Sequence, residues 1–121
     1  MGTAHMRPRL RILLGSQIAL GPGKVDLLEA INQSGSITSA AKTMNMSYMR
    51  AWTLIRVMNR CFKKPLVSAR HGGMHGGGGA KLTATGRAAV ALYRKMEAEC
   101  HQAAAPAWKE IQKLLSNTSP N

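Results

Sequence analysis

Arg50 and Arg56 are the side chains of this sequence best suited to recognise a polyanion. A guanidinium presents a rigid fork of N–H donors that meets two acceptors at once, such as O6 and N7 of guanine in the major groove of duplex DNA. No Asp or Glu lies three or four positions from either arginine, so ion pairs along their own helix do not account for them. A merely solvated helix face is the competing reading. Ser47, Tyr48 and Thr53 in the same stretch carry hydroxyls that suit phosphate and sugar, which set register without conveying sequence. Met49 and Asn59 fall on the same polar side, whereas the indole of Trp52 is expected to pack.

Other chemistries are poorly supplied. Between residues 30 and 96 there is no carboxylate to orient a histidine or serve as a general base, so an enzyme is not expected. Cys61, His71 and His75 lack paired Cys-x-x-Cys spacing, and no metal site is expected from them. Six of the nine residues from 71 to 79 are glycine, but the Gly-Lys-Ser/Thr ending of a nucleotide-binding loop is absent, so no cofactor is expected. Two readings of this loop stay open. It is a plain hairpin connection, or its bare backbone N–H groups approach a phosphate or the minor groove, with Arg70, His71, His75 and Lys81 around the rim.

The charge pattern gives these residues a setting. The chain has 121 residues, with 17 Lys and Arg against 5 Asp and Glu, a formal charge of +12. All five acids lie outside residues 30–96. Inside that window stand Lys42, Arg50, Arg56, Arg60, Lys63, Lys64, Arg70, Lys81, Arg87, Arg94 and Lys95, expected to be without internal neutralisation. Such a surface invites DNA, RNA or anionic lipid. No apolar run suits a bilayer span or a signal peptide, which points to the cytoplasm and the bacterial nucleoid, with no membrane partner. Two cysteines, Cys61 and Cys100, make no disulfide framework.

The elements that position these groups follow from periodicity. Residues 1–9 read as a disordered leader or a remnant of cloning, and residues 10–121 as one domain. Two apolar runs about Gly15-Ser16 suggest a hairpin or arm over 10–20. Leu27, Leu28 and Ile31 mark a helix ended by Gly35. Ser36 caps a short helix with Ile37, Ala40, Ala41 and Met44 inward, Asn45 makes the turn, and Ser47 caps a helix to about residue 60 with Ala51, Leu54, Ile55 and Met58 inward. A helix-turn-helix over 36–60, a wing over 66–82 and a long helix over 85–115 complete the pattern. Ala89, Leu92, Tyr93, Met96 and Cys100 are expected along one side of that last helix, and Pro106 is expected to kink or restart it. The fold class is mainly α with a small β wing, a winged helix-turn-helix.

The stretch SGSITSAAKTMNMSYMRAWTLIRVMN, followed by RHGGMHGGGGAKLTATG, resembles the N-terminal DNA-binding domain of the molybdate-responsive ModE family and, more distantly, the LysR-type domain. The resemblance covers roughly residues 21–92. It implies a homodimer on a roughly palindromic operator, with the long C-terminal helix as the dimerisation element and the 10–20 arm as a candidate second contact. ModE proteins hold the oxyanion in further β-rich domains, and this sequence reaches Asn121 before such a segment, so molybdate sensing is carried to no residue here and no small-molecule site is expected. A molybdate or metal sensor and a sequence-indifferent architectural protein are the alternative functions.

Overall fold

Glycines, capping hydroxyls and one left-handed asparagine divide the chain into its elements. The computed structural model describes residues 3–70 and 79–120. Strands β1 (Ile12–Leu14) and β2 (Gln17–Leu20) form an antiparallel hairpin, reversed at Gly15 with φ 59°. Ala19 and Leu20 enter the core, whereas Leu13, Leu14 and Ile18 stay exposed.

Helix α1 (Pro22–Ser34) begins with proline in its first turn, where a missing N–H costs nothing, and ends at Gly35 with φ 71°. The fully buried Leu27, Leu28 and Ile31 turn its inner face into the centre of the core. Helix α2 (Ile37–Thr43) is capped by Ser36, whose hydroxyl accepts from the Ser39 N–H at 3.1 Å. Its buried Ala40 and Ala41 leave room for the next helix to come close. Asn45 adopts φ 57°, and the Asn45 and Met46 amides bond back to the carbonyls of Lys42 and Ala41. That turn delivers the chain into α3 (Tyr48–Cys61), where the Ser47 hydroxyl accepts from the Arg50 N–H at 3.0 Å.

Strands β3 (Val67–Ala69) and β4 (Ala80–Leu82) form the second hairpin, with Val67 opposite Leu82 and Ser68 opposite Lys81. The Ala80 N–H bonds to the Gly35 carbonyl at 2.9 Å, so the wing is tied to the turn between α1 and α2. Helix α4 (Ala84–Leu114) has 31 residues and is therefore about 46 Å long. Its start is locked to the wing. Thr83 caps it, donating its hydroxyl to the Pro65 carbonyl at 2.6 Å while accepting from the Gly86 N–H at 3.0 Å. A Cβ on Gly86 would lie 2.1 Å from the Leu66 carbonyl oxygen, so only glycine lets helix and strand approach this closely. The structure is a winged helix-turn-helix with an extended C-terminal helix.

Two expectations about α4 need correction. The restart at Pro106 does not occur, since α4 runs unbroken from Ala84 to Leu114 with this proline inside it. Proline forfeits the bond to the Gln102 carbonyl, and Gln102 is exposed, so the freed carbonyl lies on the solvent side of the helix. The expected single apolar side is also divided: Tyr93 is 1% exposed and sits in the core, while Leu92 at 60% and Met96 at 41% face solvent with Cys100. Residues 3–9 carry no helix or strand, yet Met6 and Pro8 are half-buried and the Leu10 carbonyl accepts from the Tyr93 hydroxyl at 2.7 Å.

Candidate nucleic-acid interface

Helix α3 buries Ala51, Ile55 and Met58, which leaves a solvent stripe of Met49, Thr53, Arg56 and Arg60 spaced by four, three and four residues. These side chains therefore stand one above another on the face opposite the core. Arg50 flanks the stripe. Tyr48 is exposed at the first turn and meets Trp52 edge-on, with ring centroids 6.2 Å apart. Trp52 itself is half-buried against the core, as its size suggests. Leu54, expected to be buried, is half-buried at the margin.

The hydroxyls on this helix are partly committed. Ser47 spends its oxygen on the cap but keeps its proton, a donor suited to a phosphate oxygen. Thr53 donates its proton to the Met49 carbonyl at 2.9 Å, so it has no free donor for phosphate. Asn59 departs from the sequence expectation of a partner-facing residue. Its carbonyl oxygen accepts from the N–H groups of Leu66 at 2.8 Å and Val67 at 3.1 Å, while its amide donates to the Val67 carbonyl at 3.2 Å. It clamps α3 to β3. Nothing in helical periodicity marks such a contact, because its partners lie beyond the end of the helix.

Lys63 and Lys64 are exposed just past α3, Arg70 is exposed after β3, and Lys81 faces outward from β4 beside Ser68. His71 and His75 lie outside the described residues. Two cations were missed by sequence reasoning. Arg60 joins Arg56 on the exposed face of α3, and its spacing of four residues from Arg56 is the signal that could have placed it there. Lys24 lies outside the basic window, yet burial pushes its ammonium below the ordinary lysine range, with Cys61 opposing and the nearby Arg50 guanidinium adding to the effect.

The expectation of eleven unneutralised cations needs correction at two positions. Arg94 pairs with Asp26 at 2.9 Å, with Glu29, and with Glu97 at 2.8 Å, and these carboxylates hold it firmly charged. Lys95 pairs with Glu99 at 2.8 Å, which raises the lysine above its usual range. Glu110 pairs with Lys113. Asp26 and Glu29 reach Arg94 from α1, where it crosses α4, while Glu97 and Glu99 pair within α4, one turn beyond Arg94 and Lys95. Every acidic side chain is thus engaged on α1 or α4. Among the described residues the other nine window cations form no ion pair, and Lys42, Arg50, Arg56 and Arg60 lie on α2 and α3.

Comparison with known proteins bears on this arrangement. The chain is 46% identical over 85 residues to the molybdenum transport protein ModE of Azotobacter vinelandii, covering 70% of this chain and 31% of that protein. It is 39% identical over 84 residues to the DNA-binding transcriptional dual regulator ModE of Escherichia coli, covering 69% and 32%.

This chain is homologous to the N-terminal region of the ModE regulators.

It spans about a third of the length of the ModE proteins it matches. The molybdenum-pterin-binding protein MopB of Rhodobacter capsulatus shares 42% identity over 79 residues, covering 65% of this chain and 29% of that protein. These ModE relatives and MopB are named as regulators, transport or binding proteins, not as enzymes. A structural similarity to ArgP from Mycobacterium tuberculosis has a TM-score of 0.49 and 15% identity, covering 75% of this chain and 30% of that one. No protein-family model matches the chain. No helix among the described residues is long and apolar enough to cross a membrane.

Proposed function

We propose that this chain is a sequence-specific duplex-DNA-binding transcriptional regulator of the ModE type, with α3 as the helix that enters the major groove. The observation that carries this reading is the charge division. The exposed stripe of α3 presents Arg56 and Arg60, with Arg50 beside it, all without carboxylate partners, while every acid is engaged on α1 or α4. Arg50 and Arg56 read guanine edges. Ser47, Tyr48, Lys63 and Lys64 hold the flanking phosphates, and Arg70, Lys81, His71 and His75 place the wing against the neighbouring groove.

The protein acts as a homodimer on a roughly palindromic operator, in the cytoplasm, with reading helices about 34 Å apart along the duplex. Support comes from the exposed Leu92, Met96, Ile111 and Leu115 of α4 and its end, an apolar stripe that a second α4 would cover. No residue of these 121 is given an oxyanion-binding role.

Selection of binding sites from a random duplex pool at one fixed salt concentration tests the proposal. A recurrent motif with two half-sites is expected. Equal affinity for selected and random duplexes would overturn it in favour of a sequence-indifferent nucleic-acid-binding protein. The name of MopB favours a second reading, direct binding of a molybdenum species. Calorimetry with molybdate decides that point, and stoichiometric micromolar binding would establish it.

A further inference from the structure

Resting on the reading of α3 as the groove-entering helix, we propose that Met49 and Thr53 form an apolar strip that recognises the C5-methyl group of thymine between the bases read by Arg50 and Arg56. Met49 is 65% exposed in the first turn of α3. A single exposed methionine is ordinary on a protein surface. What distinguishes this one is the residue a turn later on the same face. Thr53 has its hydroxyl proton bonded back to the Met49 carbonyl at 2.9 Å, so what it extends beyond the helix for an apolar contact is its methyl group. Two apolar groups therefore lie in line on a helix whose other exposed side chains are Tyr48 and three arginines.

Chemistry selects the occupant. Among the groups on the major-groove edges of base pairs, the thymine methyl is the apolar one, and contact with it separates T·A from C·G where no hydrogen bond is made. A methionine thioether adapts its shape to such a contact, since the chain is unbranched and polarisable. The flanking guanidiniums bring the helix to phosphate and guanine but cannot recognise a methyl.

The test uses the duplex selected by the intact protein. Each thymine is replaced in turn by deoxyuridine, which removes the methyl and leaves the hydrogen-bonding edge unchanged. Affinity is expected to fall about fourfold at one or two positions per half-site, the worth of one buried methyl group. In Met49→Ala or Thr53→Ser the loss at the matching position should vanish. Thr53→Ser keeps the hydroxyl and its bond to Met49, so helix geometry is preserved, and circular dichroism confirms that each variant is folded. The proposal is overturned if no thymine is sensitive, or if both variants keep the full sensitivity. A wild-type protein with no base preference at all would overturn the reading of α3 itself.

Discussion

The Asn59 carboxamide brackets Val67, accepting from its N–H at 3.1 Å and donating to its carbonyl at 3.2 Å. Helix α3 and strand β3 are thereby held by one side chain. Asn59→Ala would leave the Leu66 and Val67 amides short of their acceptor. A loss of about 2 kcal/mol in urea unfolding is expected. Amide exchange should accelerate at Leu66 and Val67 before it does within α3, and uniform acceleration would count against the clamp.

Gly86 sets a harder limit than any side chain of the wing. The added Cβ of Gly86→Ala would meet backbone, the Leu66 carbonyl oxygen, rather than a side chain that can turn aside. We expect a cost of about 3 kcal/mol. Gly23→Ala, where a Cβ meets nothing within 4 Å, serves as the control and should change stability by less than about 1 kcal/mol. Equal melting temperatures for the two variants would contradict the packing described.

Base reading and phosphate holding are separable on DNA. Arg50→Ala is expected to relax preference at one base pair by about 1 to 3 kcal/mol. Lys64→Ala should weaken all duplexes alike and lower the salt slope by about one. If both variants lose affinity equally for every sequence, Arg50 does not read bases.

Tyr93 links stability to alkaline pH. Burial raises its phenol above the ordinary tyrosine value, with the Glu97 carboxylate adding and Arg94 opposing. A raised acid is held in its neutral form by folding, so its contribution is complete below the unfolded value of about 10 and is lost as pH rises through the folded value. The wild-type melting temperature should therefore fall more steeply above pH 10 than that of Tyr93→Phe. At neutral pH the variant should be weaker by about 1 kcal/mol, having lost the bond to Leu10. Parallel alkaline profiles would show that Tyr93 is not the titrating group.

The order of elements was legible because most boundaries have a local cause: Gly35 and Asn45 in left-handed backbone, Ser36 and Ser47 as caps. The exposed face of α3 was legible for the same reason, from the spacing of Ala51, Ile55 and Met58. Contacts between segments were not. Asn59 looks like any polar residue on a helix until β3 is placed beside it, and Arg94 shows only its neighbour Glu97 until Asp26 and Glu29 arrive from 65 or more positions away. Thr53 shows a related limit, since its hydroxyl looks available in sequence and is occupied by its own helix.

The gathering of Asp26, Glu29 and Glu97 on one guanidinium has a consequence for motion in solution. The acids are confined to α1 and α4, whereas eight of the nine unpaired cations of residues 30–96, all but Arg87, lie on α2, α3 and the segments from Lys63 to Lys81, so charge is unevenly distributed as well as unbalanced. A neighbouring polyanion then exerts a torque before any surfaces touch. The protein is turned during its approach, so more collisions begin with the cationic side foremost, and this advantage fades as added salt shortens the reach of the field.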